Sequence, residues 1–246
     1  MNTSIQRELS IQYMLGRFFV FLAAPMLYVG IWLAGYRIRD LAKTRESVKN
    51  HYRNHEGPWI ICANHLTLID SLIIAYAMMP FYGYMFRYNL VPWNMPEKMN
   101  FNRNFITTTL TFLSKCIPVV REGDRYSVNT TLKKCEFLLE KNEHLMIFPE
   151  GTRARNGRIN TEEFFYGVGR LYQSTDNCRV MCIYLRGDRQ NGYSNVPAYN
   201  QKFNMSVKPI LPETELKGLR AQREYSRQII ETLSQMEQDY FESRRK

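Results

Sequence analysis

Two short apolar runs, Trp59–Ala63 and Leu145–Phe148, each stop abruptly at a polar turn, and this pair constrains the chain more than any other feature. Runs of four or five apolar residues are short for a helix and read as buried strands. The first run stops at Asn64-His65. Asp70 follows five residues after His65, at the start of an apolar stretch, Leu72–Met79, long enough for a helix. Asp70 is therefore expected at the N-cap or in the first turn, with its carboxylate free to face back toward the strand end. A carboxylate bonded to one imidazole nitrogen fixes the tautomer and raises the basicity of the other, which can then deprotonate a hydroxyl. His65 and Asp70 are thus a candidate base and its orienter; the plain alternative is an ordinary histidine near a capping aspartate. The second run stops at Pro149-Glu150-Gly151-Thr152-Arg153, a turn with an acid, a glycine and a base. Gly151 permits a tight turn with exposed N–H groups, and Arg153 offers a planar fork suited to phosphate.

From Pro58 onward, apolar strands alternate with helical stretches. Strands are expected at Trp59–Ala63, Tyr84–Phe86, Ile117–Arg121, Leu145–Phe148, Val180–Leu185 and Phe203–Lys208. Helices are expected at Ser71–Met79, Phe105–Lys115, Arg125–Lys141, Phe164–Ser174 and Lys217–Glu242. Such alternation is the signature of α/β layering, with sites at strand termini. Tyr88–Asn104, rich in Asn and Pro, is expected as an irregular loop, with Trp93 either at a lipid interface or in ordinary packing. The last thirty residues read as an amphipathic helix with Leu216, Leu219, Ile229, Leu233, Met236 and Tyr240 near one stripe.

Asn-His-x-x-x-x-Asp-Ser followed by Phe-Pro-Glu-Gly-Thr-Arg resembles the glycerolipid acyltransferases of the 1-acyl-sn-glycerol-3-phosphate acyltransferase type, over roughly Pro58 to Leu185. The resemblance implies an acyltransferase-type α/β domain, a mixed sheet flanked by helices. It implies direct attack of the acceptor hydroxyl on an acyl thioester, with His65 as base and no acyl-enzyme. That suits the lack of a Gly-x-Ser-x-Gly elbow; Ser71 is expected to cap the following helix. By the same resemblance Glu150, Gly151, Thr152 and Arg153 hold the acceptor's phosphate or headgroup, Glu150 ordering the turn or bonding an acceptor hydroxyl. Arg121 is a second phosphate ligand, and Arg125 and Asn64 are weaker candidates. The chain departs from the family pattern at Phe164-Phe165-Tyr166-Gly167, where a lysine is usual, and at Arg179-Val180-Met181-Cys182, where a proline is usual. Arg155 and Arg158 offer cations nearby or face anionic lipid. Another lysophospholipid or lipid hydroxyl therefore stands beside 1-acyl-sn-glycerol-3-phosphate as the acceptor. The donor implied is acyl-CoA or acyl-ACP, and no cofactor or metal is expected.

Phe18–Tyr36 is a run of nineteen uncharged residues between Arg17 and Arg37. At ~1.5 Å per residue such a helix just reaches across ~30 Å of hydrocarbon. Pro25 argues for a kink or for two shorter, half-inserted helices. A spanning helix, an interfacial or re-entrant hairpin, a signal peptide and a buried soluble helix are weighed, and membrane attachment is expected, since no small-x-small cleavage site follows. Arg37, Arg39, Lys43, Arg45, Lys49 and Arg53 come next, a cluster suited to anionic headgroups at ~1 kcal/mol per basic side chain. By the positive-inside bias the catalytic domain is expected on the cytoplasmic side. The expected organisation is an anchoring segment and basic linker at 1–56, an acyltransferase domain at 57–213 and a packed C-terminal helix at 214–246.

The net charge of +10, from 33 Lys and Arg against 23 Asp and Glu in 246 residues, calls for an anionic partner. The basic residues form no nucleic-acid motif, so membrane lipids, the thioester carrier and a lysophospholipid are the expected partners. The five cysteines, at 62, 116, 135, 178 and 182, form no Cys-x-x-Cys pair and read as small buried hydrophobes. His51-x-x-x-His55 has helical zinc spacing without further ligands nearby. Two other classes compete with an acyltransferase: a hydrolase in which His65 activates water, and a non-catalytic membrane-binding protein.

Overall fold

A computed structural model describes residues 3–97, 104–120, 124–151 and 156–245. In chain order it contains α1 (Thr3–Leu33), β1 (Arg37–Ile38), α2 (Leu41–Arg53), β2 (Trp59–Ala63), α3 (Asp70–Met78), α4 (Phe81–Phe86) and β3 (Trp93–Asn94). There follow α5 (Phe105–Leu113), α6 (Arg125–Glu140), β4 (Leu145–Ile147), α7 (Gly167–Gln173), β5 (Arg179–Gly187), β6 (Lys202–Ile210) and α8 (Gly218–Ser243). The six strands form one mixed sheet in the order β1-β6-β5-β2-β4-β3. β2 lies parallel between β5 and β4, with Cys62 opposite both Cys182 and Ile147. β5 and β6 are antiparallel, from Val180 opposite Ile210 to Gly187 opposite Phe203.

Every residue of β2 is buried because helices cover both faces of the sheet, which is why that strand is apolar throughout. Its side chains divide with a period of two. Ile60 and Cys62 join Leu138 and Leu139 of α6 and Ile229 and Leu233 of α8 in one core. Trp59, Ile61 and Ala63 join Val48 of α2 and Ile73, Ile74 and Ala77 of α3 in the other. The expected α/β architecture, a mixed sheet flanked by helices, is what the chain adopts.

Some local expectations are corrected. Tyr84–Phe86 is the end of α4, not a strand; three apolar residues carry too little periodicity to separate the two. Around Ile117, among the described residues, the backbone makes isolated bridges in place of a strand, Cys116 with Asn94 and Val119 with Glu97, and Arg121 lies outside those residues. Phe164 and Phe165 precede α7 instead of opening it. In α8 the buried positions are Ala221, Ser226, Ile229, Ile230, Leu233, Met236 and Glu237, while Leu216 and Leu219 are exposed. Trp93 is fully buried and donates its N–H to Glu143.

α1 runs as one helix through Pro25, without dividing. Contacts hold it on both sides of the proline. Val20 and Ala24 pack with Tyr84 and Tyr88, and Ile31 joins the α2–α3 core. Gln12 donates to the carbonyls of Phe112 and Cys116, both at 2.8 Å. At Gly16 a Cβ would meet the Tyr88 hydroxyl and the Leu113 carbonyl, so only glycine permits this approach. Beneath α1 lies Lys115, fully buried and paired with Glu143, donating also to the carbonyls of Tyr88 and Val91 and ringed by Tyr13, Tyr88 and Trp93. Desolvation pulls its ammonium down to about 8. Glu143→Ala, which strands that charge, is expected to lower stability by about 3–5 kcal/mol in chemical unfolding of the purified protein. Lys115→Met with Glu143→Gln, which leaves no buried charge, is expected to recover much of the loss; an equal loss would show that the stranded charge is not its cause.

Candidate active site

Because β2 and β4 are parallel neighbours, their C-terminal ends open on the same edge of the sheet. Asn64, the first residue beyond β2, is buried, and its amide exchanges two hydrogen bonds with Leu185 of β5. Asn64 Nδ2 donates to the carbonyl at 3.0 Å, and the Leu185 N–H donates to Oδ1 at 2.7 Å. The side chain thus extends the strand pairing by one step and holds His65 where the chain leaves the sheet.

His65 is held from three directions. Its backbone N–H donates to Glu150 Oε1 at 3.0 Å, joining the two turns. Its ring stacks on Phe148, the residue after β4, with centroids 4.2 Å apart and planes inclined by 24°. Its Nδ1 lies 3.1 Å from Asp70 Oδ2. That oxygen also accepts the N–H groups of Leu66 at 2.6 Å and Thr67 at 2.7 Å, and Oδ1 accepts the Thr67 hydroxyl at 2.5 Å. Asp70 is the first residue of α3, behind an N-cap at Ile69 that makes no side-chain cap bond. Ser71, expected from the sequence to cap this helix, is instead its second residue, and it lines the adjacent cavity. The buried carboxylate is rigidly oriented by the loop it closes. Facing an acceptor-only group, Nδ1 carries the proton and Nε2 keeps its lone pair.

Glu150 is 7% exposed. Burial pushes its carboxyl up to about 8, against the opposing bond from the His65 N–H, and the charges of Glu237 and Asp70 push the same way. Its Oε2 has no hydrogen-bond partner among the described residues. At Gly151 φ is +66°, the left-handed turn that glycine favours. The Gly151 N–H closes the turn on the Phe148 carbonyl at 3.0 Å.

Beside His65 opens a cavity of about 400 Å³, within the range of small-molecule sites. Met95, Pro96, Val119, Val120, Val128, Leu132, Phe164 and Phe165 supply its apolar wall, and Ser71, Glu97, Glu150, Asn160 and Glu163 its polar groups. No cysteine lines it.

Of the residues singled out in the sequence, His65, Asp70, Glu150 and Gly151 come together here, and Asn64 stands behind them as a tie to β5. Arg121, Thr152, Arg153 and Arg155 lie outside the described residues, as does the side chain of Arg125, the first residue of α6. Arg158 is turned away, its guanidinium 3.6 Å from the ring centre of Phe241 on α8. His51 and His55 pack on Trp59, and among the described residues no three His, Cys, Asp or Glu are grouped to hold a metal. Sequence reasoning missed Phe148, Thr67 and the cavity wall. Thr67 had a signal, a hydroxyl inside the His-to-Asp interval; the wall had none.

The raised carboxyl of Glu150 has a consequence for stability. The folded protein keeps that proton up to about pH 8, whereas an unfolded chain loses it near 4.5. Between those values the folded state binds the extra proton, so stability falls as pH rises through the window. Glu150→Gln keeps an acceptor for the His65 N–H and is expected to abolish this part of the fall. Urea unfolding of both proteins at about pH 5 and pH 8.5 checks it; identical pH dependence would place the proton elsewhere.

Two comparisons with known proteins bear on this site. No curated protein matches the chain. A family model described as Acyltransferase matches residues 44–197, more than half of the chain, from within α2 to the loop before β6 and including both turns. The chain belongs to the acyltransferase family, and acyl transfer is its general chemistry.

Proposed function

We propose that this acyltransferase is membrane-bound and moves an acyl chain from acyl-CoA or acyl-ACP to the free hydroxyl of 1-acyl-sn-glycerol-3-phosphate, giving phosphatidic acid. The observation that carries the reading is an Asp70-oriented imidazole beside an apolar cavity. His65 Nε2 takes the proton of the acceptor hydroxyl as its oxygen attacks the thioester carbonyl. The tetrahedral intermediate collapses, the C–S bond breaks, and the imidazolium returns the proton to the departing thiolate. Asp70 stabilises the imidazolium formed between these steps. The cavity seats the acyl chain, and the Glu150 turn faces the acceptor headgroup, with Thr152, Arg153 and Arg121 as its phosphate ligands.

A second acceptor, a lysophospholipid without a free phosphomonoester, is favoured by one observation. Phe164 and Phe165, in the segment where a lysine is usual, line the cavity with apolar rings.

For attachment, the outer face of α1 supports a helix lying along the membrane surface with the domain. Phe18, Leu22, Met26 and Trp32 are 60–72% exposed, while Leu9, Val20, Ala24 and Ile31 are buried against the protein. A helix committed on one side to protein is poorly placed to cross a bilayer alone. Phe86 on α4 and Phe105 and Ile106 on α5, helices that adjoin α1, continue the apolar surface. Of the basic cluster, Arg39 is paired with Asp188, Lys49 with Glu46, and Arg45 lies over the rings of Tyr28 and Tyr76, leaving Arg37, Lys43 and Arg53 exposed toward anionic headgroups. These exposed cations favour the anionic cytoplasmic leaflet.

The deciding experiment is acyl transfer by purified protein in detergent, with labelled thioesters and a panel of acceptors. His65→Ala is expected to lower kcat by about 10²–10⁴-fold with an unchanged circular dichroism spectrum; activity within tenfold of the parent removes the base assignment. Transfer to 1-acyl-sn-glycerol-3-phosphate alone supports the first acceptor, and preference for a neutral lysolipid supports the second. Replacing Phe18, Leu22 and Met26 together by glutamate is expected to shift the protein from the liposome pellet to the supernatant. Undiminished sedimentation would move the attachment elsewhere on the surface.

A further inference from the structure

The segment between the Glu150 turn and α7 forms one wall of the cavity, through Asn160, Glu163, Phe164 and Phe165. One of its ends is pinned to the site itself, the Phe165 N–H donating to the Pro149 carbonyl at 2.7 Å. At Gly157 and Ile159 the segment is grasped by two buried charges that do not line the cavity. Arg186, near the end of β5 and 4% exposed, donates to the Gly157 carbonyl. Glu237 of α8, 6% exposed, accepts the Ile159 N–H at 3.2 Å and the Tyr184 hydroxyl at 3.3 Å. The two charges lie 3.8 Å apart.

Covering a sheet needs no ions. A buried ion pair is generally matched or bettered in stability by well-packed apolar residues of similar volume. What it does supply is direction, since each ion fixes a backbone group at a definite point. Here both ions act on the same three residues, one on the carbonyl of Gly157 and the other on the N–H of Ile159. Gly157 is further confined by a φ of +65° and by Asn191 O and Gly192 Cα, each 2.9 Å from where a Cβ would stand. Between them, Arg158 is 3.6 Å from the ring centre of Phe241 on α8. Two residues on, the Asn160 side chain accepts the N–H groups of Glu162 and Glu163 and starts the turn that carries Glu163 to the cavity.

We propose that Arg186 and Glu237 are positioning residues for the acyl-chain seat: through them the C-terminal helix sets where the wall from Asn160 to Phe165 stands. The proposal rests on the acyltransferase reading above in taking the cavity as that seat. The pair touches neither substrate nor the reacting atoms, so its loss acts on binding and chain selection more than on turnover.

The test uses the full chain in detergent with two independent variants. Arg186→Met with Glu237→Met removes both ions without leaving a lone buried charge, and Gly157→Ala disturbs the same backbone directly, its Cβ meeting Asn191 O, Gly192 Cα and, at 3.2 Å, Arg186 Nη2, without altering α8. In each, the acyl-donor KM is expected to rise at least tenfold and the chain-length preference to broaden, with kcat within about threefold. Amide exchange at Ile159 to Phe165 is expected to quicken at least tenfold while the Ile60–Cys62 amides stay as protected as in the parent. Arg186→Gln with Glu237→Gln, which keeps an acceptor for the Ile159 N–H without leaving a lone buried charge, is expected to stay closer to the parent than the double methionine variant. Unchanged exchange in that segment, or unchanged donor KM and chain profile in an active protein, overturns the proposal. So does loss of protection throughout the sheet in both variants, which would make the pair a support of the whole fold. A parent silent with every acceptor condemns the acyltransferase reading, and the exchange data still decide whether the pair positions the wall.

Discussion

The candidate site depends on the parallel pairing of β2 with β4. That pairing, with Cys62 opposite Ile147, brings two turns that lie far apart in the chain to the same edge of the sheet. The Glu150 bond to the His65 N–H spans 85 residues and is short only because the register is right. A slip of one residue would reverse every side chain of one strand, putting Ile60 and Cys62 on the wrong core and carrying the His65 loop out of reach of Phe148. Burial of both sheet faces makes such a slip costly, so the cores that stabilise the protein also hold the site in register.

Polar groups near the site are buried only where they are fully used, with Glu150 the exception. Asp70 has an acceptor role at each oxygen, and Asn64 replaces a strand partner on both sides. Glu150 keeps one oxygen without a partner among the described residues, and burial pushes its carboxyl up. A neutral acid there can accept from the His65 backbone with one oxygen and donate with the other. It therefore joins the turns without placing a second full negative charge beside Asp70.

The periphery follows a similar rule with different materials. Lys115 and Glu143 are ions enclosed with aromatic rings beneath α1, and Arg186 of β5 and Glu237 of α8 are ions enclosed between those two elements. Both pairs lie beside a long helix, and both bond to main-chain groups outside the strand ladders, those of Tyr88, Val91, Gly157 and Ile159. Unpaired backbone at such crossings is costly to bury, and a charged side chain is a strong partner for it.

Much of this was legible locally. The apolar runs located β2, β4, β5 and β6, and the five-residue interval between His65 and Asp70 placed both on one loop closed by a helix start. The nineteen uncharged residues after Arg17 marked α1, and the paired motifs identified the family. Short apolar runs misled at Tyr84–Phe86 and Ile117–Arg121, because three to five residues of either structure bury the same side chains. Tertiary structure alone decided the stacking of Phe148 on His65, the Glu150 bond to the His65 N–H, the cavity wall and the two buried ion pairs. Local sequence governs dihedral preference and periodicity, which act over a few residues. Contacts between residues 28 to 85 positions apart exist only once the register of the sheet and the packing of α1 and α8 have closed the intervening chain.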